Sequence, residues 1–221
     1  MRKNKCVFIT ATDTYVGKTI ATFVLGVLLR AKGYDIGVMK PVQCAGDDAV
    51  FLKEHLGLDE PLSIINPCHA PEPLSPHLAF RRAKKTVDIA RIRRAFKILQ
   101  ARHQILLVEG AGGLMVPLKK DYYNADLIRE LNAEVIIVAR LGLGTINHTL
   151  LTINQAKAYG LKVKGVLFST AAQGQGRGLA AITNPCEVKH LSGVNVLGVI
   201  PHLKQLTVKE VLKKCQRIAI D

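Results

Sequence analysis

Short apolar blocks recur along the chain with almost no polar interruption, among them ILLV at 105–108 and VIIV at 135–138. A strand that alternates apolar and polar residues keeps one face in water, whereas a strand apolar throughout is buried on both. The blocks predict strands at 6–10, 35–40, 105–109, 135–139, 163–168 and 196–199. Between them, apolar positions at helical spacing predict helices at 17–32, 48–56, 88–102, 125–131, 146–159, 184–191 and 207–214. Gly33 and Gly160 follow two of these as C-terminal stops. Strand–helix–strand units with right-handed crossovers build a three-layer α/β fold, a mostly parallel central sheet with helices on both faces. No repeat or linker interrupts the alternation, so residues 1–221 are expected to form a single domain. The segment QGQGRG at 173–178 reads as a surface loop.

Composition narrows the function. With 48% apolar residues in 221, a large core can be buried. No apolar stretch is long enough to span a bilayer, and the one behind the basic start, 6–9, is too short for a signal peptide. A cytoplasmic protein without membrane attachment is expected. Five cysteines (Cys6, Cys44, Cys68, Cys186, Cys215) are scattered and show no C-x-x-C spacing, which argues against a disulfide framework or a zinc site. The formal charge of +14 raises a nucleic-acid reading. The basic residues from Arg81 to Lys97 are spread out, however, and lack the interleaved aromatic platforms of single-strand binders, so no nucleic-acid partner is expected.

The strongest chemical signal is ATDTYVGKT at 11–19, between the first predicted strand and the first predicted helix. The phosphate-loop pattern G-x-x-x-x-G-K-[ST] works because successive backbone N–H groups and a helix N-terminus converge on one anion. Lys18 is expected to reach the β- and γ-phosphates of a nucleoside triphosphate, and the Thr19 hydroxyl to ligate Mg²⁺. Ala11 replaces the first glycine, and its Cβ is expected to restrict the backbone there. A second signal is VEGAGG at 108–113. It puts the Glu109 carboxylate on the rim where open α/β sheets gather ligands, as a hard ligand suited to Mg²⁺, beside glycine N–H groups able to hold an oxyanion. A third is Lys40-Pro41-Val42, followed by Gln43, Cys44 and the pair Asp47-Asp48. A cation at that strand end can balance charge on a transferring phosphoryl group. His148 reads as a packing residue, and His77 stays open between a site role and a structural one. The other histidines lack metal-ligand spacing.

In order along the chain, TDTxVGKT, KPV, DA, PLSPH (73–77), VEGAGG, GxINH (144–148) and LGVIP (197–201) resemble the dethiobiotin synthetase family over essentially the whole length. The resemblance implies a P-loop NTPase fold and an ATP-dependent cyclo-ligase of biotin biosynthesis. Its implied substrates are ATP, CO₂ or bicarbonate, and 7,8-diaminononanoate. One amine takes up CO₂, ATP phosphorylates the carbamate, and the second amine closes a cyclic urea. The resemblance further implies that Lys18, Lys40 and Thr14 act on the reacting groups. Asp13, Thr14, Tyr15, Val16, Gly17, Lys18, Thr19 and Ile20 would hold the phosphates, with Ser169 and Pro201 at the base. Thr19, Asp48 and Glu109 match Mg²⁺ ligands, and Cys44 and Gly112 match substrate contacts. Thr145, Ile146 and Asn147 match a helix N-terminus that receives the substrate's tail carboxylate from the neighbouring subunit of a homodimer, a role suited to uncapped N–H groups.

The chain departs from the family at further positions. Tyr15 stands where one bacterial form has glutamate, Cys44 where serine contacts the carbamate, and Ser169 where asparagine reads the adenine edge. A thiol donates a weaker hydrogen bond than a hydroxyl. Loss of the amide pair predicts looser base selectivity. The same fold serves partitioning and positioning ATPases, switches that work on DNA or membrane. Those carry an extra lysine early in the loop, where this chain has Asp13, and an amphipathic tail that 207–221 resembles only weakly.

Overall fold

The computed structural model describes residues 4–170, 176 and 178–220, so the predicted loop at 173–178 lies largely outside the described residues. The chain runs β1 (Lys5–Ala11), α1 (Lys18–Ala31), β2 (Ile36–Met39), β3 (Val42–Cys44), α2 (Asp48–Leu56), α3 (Leu62–Ile65), β4 (Cys68–Ala70), α4 (Pro76–Arg82) and α5 (Ile89–Arg102). It continues through β5 (Ile105–Glu109), β6 (Pro117–Lys119), β7 (Tyr122–Tyr123), α6 (Asn124–Glu130), β8 (Glu134–Arg140), α7 (Thr145–Ala158), β9 (Val163–Ser169), α8 (Leu179–Ser192), β10 (Val196–Ile200) and α9 (Val208–Lys214).

Six strands form one parallel sheet in the order β10-β9-β8-β1-β5-β2. Successive side chains of a strand point to opposite faces. In β1, Cys6 and Phe8 enter one core while Val7, Ile9 and Ala11 enter the other. The first core is closed by Phe96 of α5, Ile128 of α6, Ile153 of α7 and Val188 of α8. The second is closed by Val24 of α1, Leu52 of α2 and Val211 of α9. Both faces of the sheet are therefore dry, which is why its strands read as continuous apolar blocks. Each fully buried Leu, Ile or Phe in these layers contributes about 1.5–3 kcal/mol.

Winding reverses at β1, whose neighbours β5 and β8 belong to opposite halves of the sheet. Ligands of open α/β sheets sit at such a switch, beyond the carboxyl ends of the strands. Those ends carry Ala11, Met39, Glu109, Arg140, Ser169 and Ile200.

Two differences from the predicted elements have physical causes. The helix predicted from 184 begins at Leu179, with Pro185 inside it. Pro185 has no N–H to offer the carbonyl one turn back, so sequence alone reads it as a helix start. Burial of Ala181 on the earlier turn, with Asn184 and Val188, holds the helix instead. The parallel pair β3–β4, the antiparallel pair β6–β7 and the short helices α3 and α4 were not predicted. Elements of two to seven residues carry too little periodicity to be seen in sequence.

Candidate active site

Helix α1 opens on Gly17, at φ 95°, with no side-chain cap and no acidic residue in its first turn. Helix α7 opens likewise on Gly144, at φ 85°. By contrast Asp88 caps α5 by accepting from Arg91 N, and Thr207 caps α9 by accepting from Glu210 N. The uncapped helices present their first N–H groups and the positive end of the helix dipole to the rim, a ready site for an anion. Ala11 does not strain this loop. It closes β1 with ordinary strand geometry and is buried, so its Cβ restricts nothing there, and the expectation of a restricted backbone is corrected. Positive φ falls instead on Tyr15, at 58°, a residue 88% exposed. A bulky residue held there costs about 1–3 kcal/mol.

Four separated segments meet at one knot of charge. The Thr19 hydroxyl donates to Glu109 Oε1 at 2.9 Å, and the Lys40 ammonium donates to the same oxygen. Lys40 also donates to Asp48 Oδ2 at 2.7 Å. Lys40 and Glu109 are buried, Asp48 less so. Burial opposes the charge on Lys40, but the Glu109 and Asp48 carboxylates outweigh it and raise its pKa. Burial likewise opposes charge on Asp48, yet Lys40 and then Thr19 and Lys18 draw its pKa down. Lys18 is pushed down to about 8, by burial first and by the neighbouring Lys40 charge second, with Glu109 and Asp48 working against the shift. Its ammonium donates to the Asp13 carbonyl at 3.4 Å, and Asp13 Oδ1 accepts from Thr14 N at 2.7 Å.

Glu109 Oε2 is buried and has no hydrogen-bond partner among the described residues. Leaving such an oxygen unpaired costs several kcal/mol unless a cation or donor meets it. The unpaired oxygen, with Asp48 and the Thr19 hydroxyl beside it, fits Mg²⁺, which takes one or two carboxylates and keeps its waters. Among the described residues no cluster of three or more His, Cys, Asp or Glu could hold a metal.

The remaining predicted residues distribute around this knot. Val16 is buried under the loop, Ile20 partly so, and Thr14 is exposed on its outer side. Gly112 faces Thr14: a Cβ on Gly112 would lie 3.8 Å from Thr14 Oγ1 and 2.7 Å from Val116, at φ 66°, so only glycine fits. The Cys44 thiol is half-buried, and burial pushes it up to about 11 against the pull of Lys40, so it stays a protonated, weak donor at neutral pH. Ser169 pairs in register with Ile200 and is buried, beside Pro201 on the same rim. Thr145, Ile146 and Asn147 open α7 at that rim but make no hydrogen bond to the Lys40 knot among the described residues. His77 pairs locally with Ser75 through Nδ1, at 3.0 Å. His148 is half-buried, and its carbonyl accepts from Thr152 Oγ1 at 2.8 Å.

Two residues that sequence reasoning missed hold Lys40 and Asp48 in place. Gln43 accepts from Ala49 N at 3.0 Å and donates to the Gly46 carbonyl at 2.6 Å, fixing the turn that leads into Asp48. Asn66 donates to the Lys40 carbonyl at 2.6 Å. Only the adjacency of Gln43 to the KPV motif could have pointed to the first; nothing in the sequence pointed to Asn66.

A family model described as an AAA domain matches residues 5–210. The chain is similar to proteins named ATP-dependent dethiobiotin synthetase BioD. Over 217 residues it is 41% identical to that of Thermodesulfovibrio yellowstonii, covering 90% of this chain and 89% of the relative. It is 42% identical to that of Methanococcus vannielii, covering 74% and 78%, and 36% identical to that of Nitrosopumilus maritimus, covering 92% and 91%. Among solved structures it resembles the MinC:MinD cell division complex of Aquifex aeolicus, at TM-score 0.58 and 16% identity, covering 95% of this chain and 86% of that one. It also resembles a ParA family ATPase of Chlorobium tepidum, at TM-score 0.56 and 12% identity, covering 97% and 91%. At those identities the structures show the P-loop NTPase fold alone.

Proposed function

The chain belongs to the ATP-dependent dethiobiotin synthetase family, and on that premise we propose how the rim around β1, β2 and β5 carries out its ATP-dependent dethiobiotin synthesis. The substrates are 7,8-diaminononanoate, CO₂ drawn from bicarbonate, and ATP. One amine attacks CO₂ and loses a proton, giving a carbamate. A carbamate oxygen attacks the γ-phosphorus and the bond to ADP breaks. The second amine then attacks the carbamoyl carbon and loses a proton, the C–O bond to the phosphoryl group breaks, and the cyclic urea and inorganic phosphate leave.

The observation that carries this reading is the buried Lys40 ammonium, pinned by Glu109 and Asp48 beside the uncapped start of α1. A fixed cation in a dry site stabilises charge on a moving phosphoryl group far better than one in water. Lys18 lies against the phosphates from the loop, where their negative charge favours its protonated form. Residues 13–20 wrap the phosphates, and Thr14, opposite Gly112, lies at the carbamate with Cys44. Mg²⁺, held by Thr19, Asp48 and Glu109, would neutralise charge on the phosphate oxygens. The base lies against Ser169 and Pro201 and is read loosely.

In this reading residues 1–221 act as one domain in a cytoplasmic homodimer, with active sites at the subunit interface and no nucleic-acid or membrane partner. The N-terminus of α7, at Thr145, Ile146 and Asn147, receives the tail carboxylate of the substrate held by the neighbouring subunit. Leu143, 87% exposed just before that helix, and Leu151, 61% exposed on its second turn, favour cover by a second copy. A groove of about 440 Å³ between the phosphate loop and α7, lined by Thr14, Gly113, Met115 and Leu151, leaves room for the substrate. Among the described residues no helix is long and apolar enough to cross a membrane.

Phosphate release and product mass test the reading. Turnover is expected only with both the diamine and bicarbonate present, with a cyclic urea as product. ATP hydrolysis indifferent to the diamine and stimulated by DNA or lipid vesicles would overturn it in favour of the partitioning type of switch, a reading that only the fold likeness supports.

A further inference from the structure

Asn124, the first residue of α6, is buried beneath the glycine-rich turn that follows β5. Its carboxamide spends both hydrogens on that turn, donating to the Ala111 carbonyl at 2.7 Å and to the Gly113 carbonyl at 2.8 Å. The backbone adds two stitches between the same segments, Asn124 N to the Val116 carbonyl at 3.1 Å and Ala125 N to the Leu114 carbonyl at 3.2 Å.

The consequence follows from the planar trans peptide, in which C=O and N–H point in opposite directions. With the Ala111 and Gly113 carbonyls drawn down to Asn124, the N–H groups of Gly112 and Leu114 in the same two peptide planes are turned away from it. Among the described residues neither N–H donates to a protein acceptor. Gly112 is the position that faces Thr14 Oγ1. Two backbone donors are thus left facing away from Asn124, one of them on the residue that faces the phosphate loop, and such donors suit an oxyanion.

We propose that Asn124 is a positioning residue: by holding two carbonyls down, it presents the Gly112 and Leu114 N–H groups to the carbamate oxygens as they take up the phosphoryl group. The inference rests on the reaction proposed above. It goes beyond it in assigning a role to Asn124 and a donor to Leu114. The carboxamide is suited to the task because it offers two hydrogens in one plane; aspartate has the same shape and offers none at neutral pH.

The test compares the full-length protein with Asn124→Leu, Asn124→Asp and Ile128→Ala. The last removes a buried side chain from α6 and leaves the carboxamide alone. Asn124→Leu and Asn124→Asp are expected to lose about 10²-fold in kcat with KM for ATP within about twofold, as when an oxyanion donor is misplaced. Ile128→Ala is expected to lower Tm and keep kcat. The direct readout is the NMR shift of the Gly112 and Leu114 amides on adding the diamine with bicarbonate, without ATP. Both signals are expected to move in the wild type and in Ile128→Ala, and not in the Asn124 variants. Equal movement in the Asn124 variants, equal losses in Ile128→Ala, or no movement in a wild type that makes dethiobiotin would each overturn the proposal. If Asn124→Leu does not fold, Asn124→Asp decides alone. A wild type that makes no dethiobiotin would sink the proposed reaction instead, and inorganic phosphate, titrated against the same two amides, would still decide whether they take an oxyanion.

Discussion

Each rim of the sheet carries a cluster of ionisable side chains around a buried carboxylate, and the two are built to different ends. At the amino ends of β2 and β5, His103 Nε2 lies 2.9 Å from Glu60 Oε1, and Nδ1 lies 3.1 Å from both carboxylate oxygens of Asp35. Arg102 stands 3.9 Å from the same Glu60 oxygen, and the Asp35 carbonyl accepts from Ile105 N. The imidazole packs on Gly37 so closely that a Cβ there would come within 2.3 Å of the ring. Every polar group named is satisfied, and the knot ties β2 to the segments on either side of it. At the carboxyl ends, Lys40, Asp48, Thr19 and Glu109 form a knot of similar size, but among the described residues Glu109 keeps one buried oxygen without a partner and α1 begins without a side-chain cap. A closed knot holds strands together; an open one has capacity left for a ligand. The contrast locates function better than charge or burial alone, since both rims have those.

Substitutions at the two rims sharpen the contrast. The largest effect is expected from Lys40→Ala, about 10²- to 10³-fold in kcat with nucleotide affinity within a few-fold, because its charge acts mainly as phosphoryl moves. Steady-state kinetics beside nucleotide titration reads this out, and unchanged turnover would remove Lys40 from the mechanism. Next comes Glu109→Gln, which keeps the shape and discards the charge; the Mg²⁺ concentration for half-maximal rate is expected to rise at least about tenfold. An unaltered Mg²⁺ requirement would take Glu109 out of the metal site. Ser169→Asn is expected to sharpen base choice, raising the preference for ATP over GTP and CTP about tenfold from a wild type that discriminates weakly. Wild-type protein that already rejects GTP and CTP would contradict the loose-readout account. The smallest functional effect belongs to the closed rim: Gly37→Ala is expected to cost about 1–3 kcal/mol of stability by crowding His103, with KM and kcat unchanged. Denaturant melts paired with kinetics check it, and a kinetic defect without a stability loss would show the rim to be more than structural.

Legibility in the sequence followed the range of the interactions. The six core strands and seven principal helices were visible because apolar periodicity is a local property that both dry faces of the sheet enforce. The phosphate loop, Lys40 and Glu109 were visible as motifs at strand ends. What could not be read was their pairing. Residues 40 and 109 meet only because β2 lies beside β5, a neighbour relation set by winding rather than by spacing. Gln43, Asn66 and Asn124 were missed for the same reason, since each bonds backbone carbonyls or amides that carry no side-chain signature. Ala11 misled because the glycine pattern describes a conformation, and here the turn into positive φ falls at Tyr15 and Gly17 instead.

In the proposed reaction a carbamate oxygen, not water, attacks the γ-phosphorus at the open rim. With ¹⁸O-labelled bicarbonate and unlabelled ATP, that oxygen bridges carbon and phosphorus and leaves with the phosphoryl group when the ring closes. Mass spectrometry of the released phosphate is therefore expected to find one ¹⁸O atom for each dethiobiotin formed. Phosphate free of label, released at the same rate with or without the diamine, would contradict it.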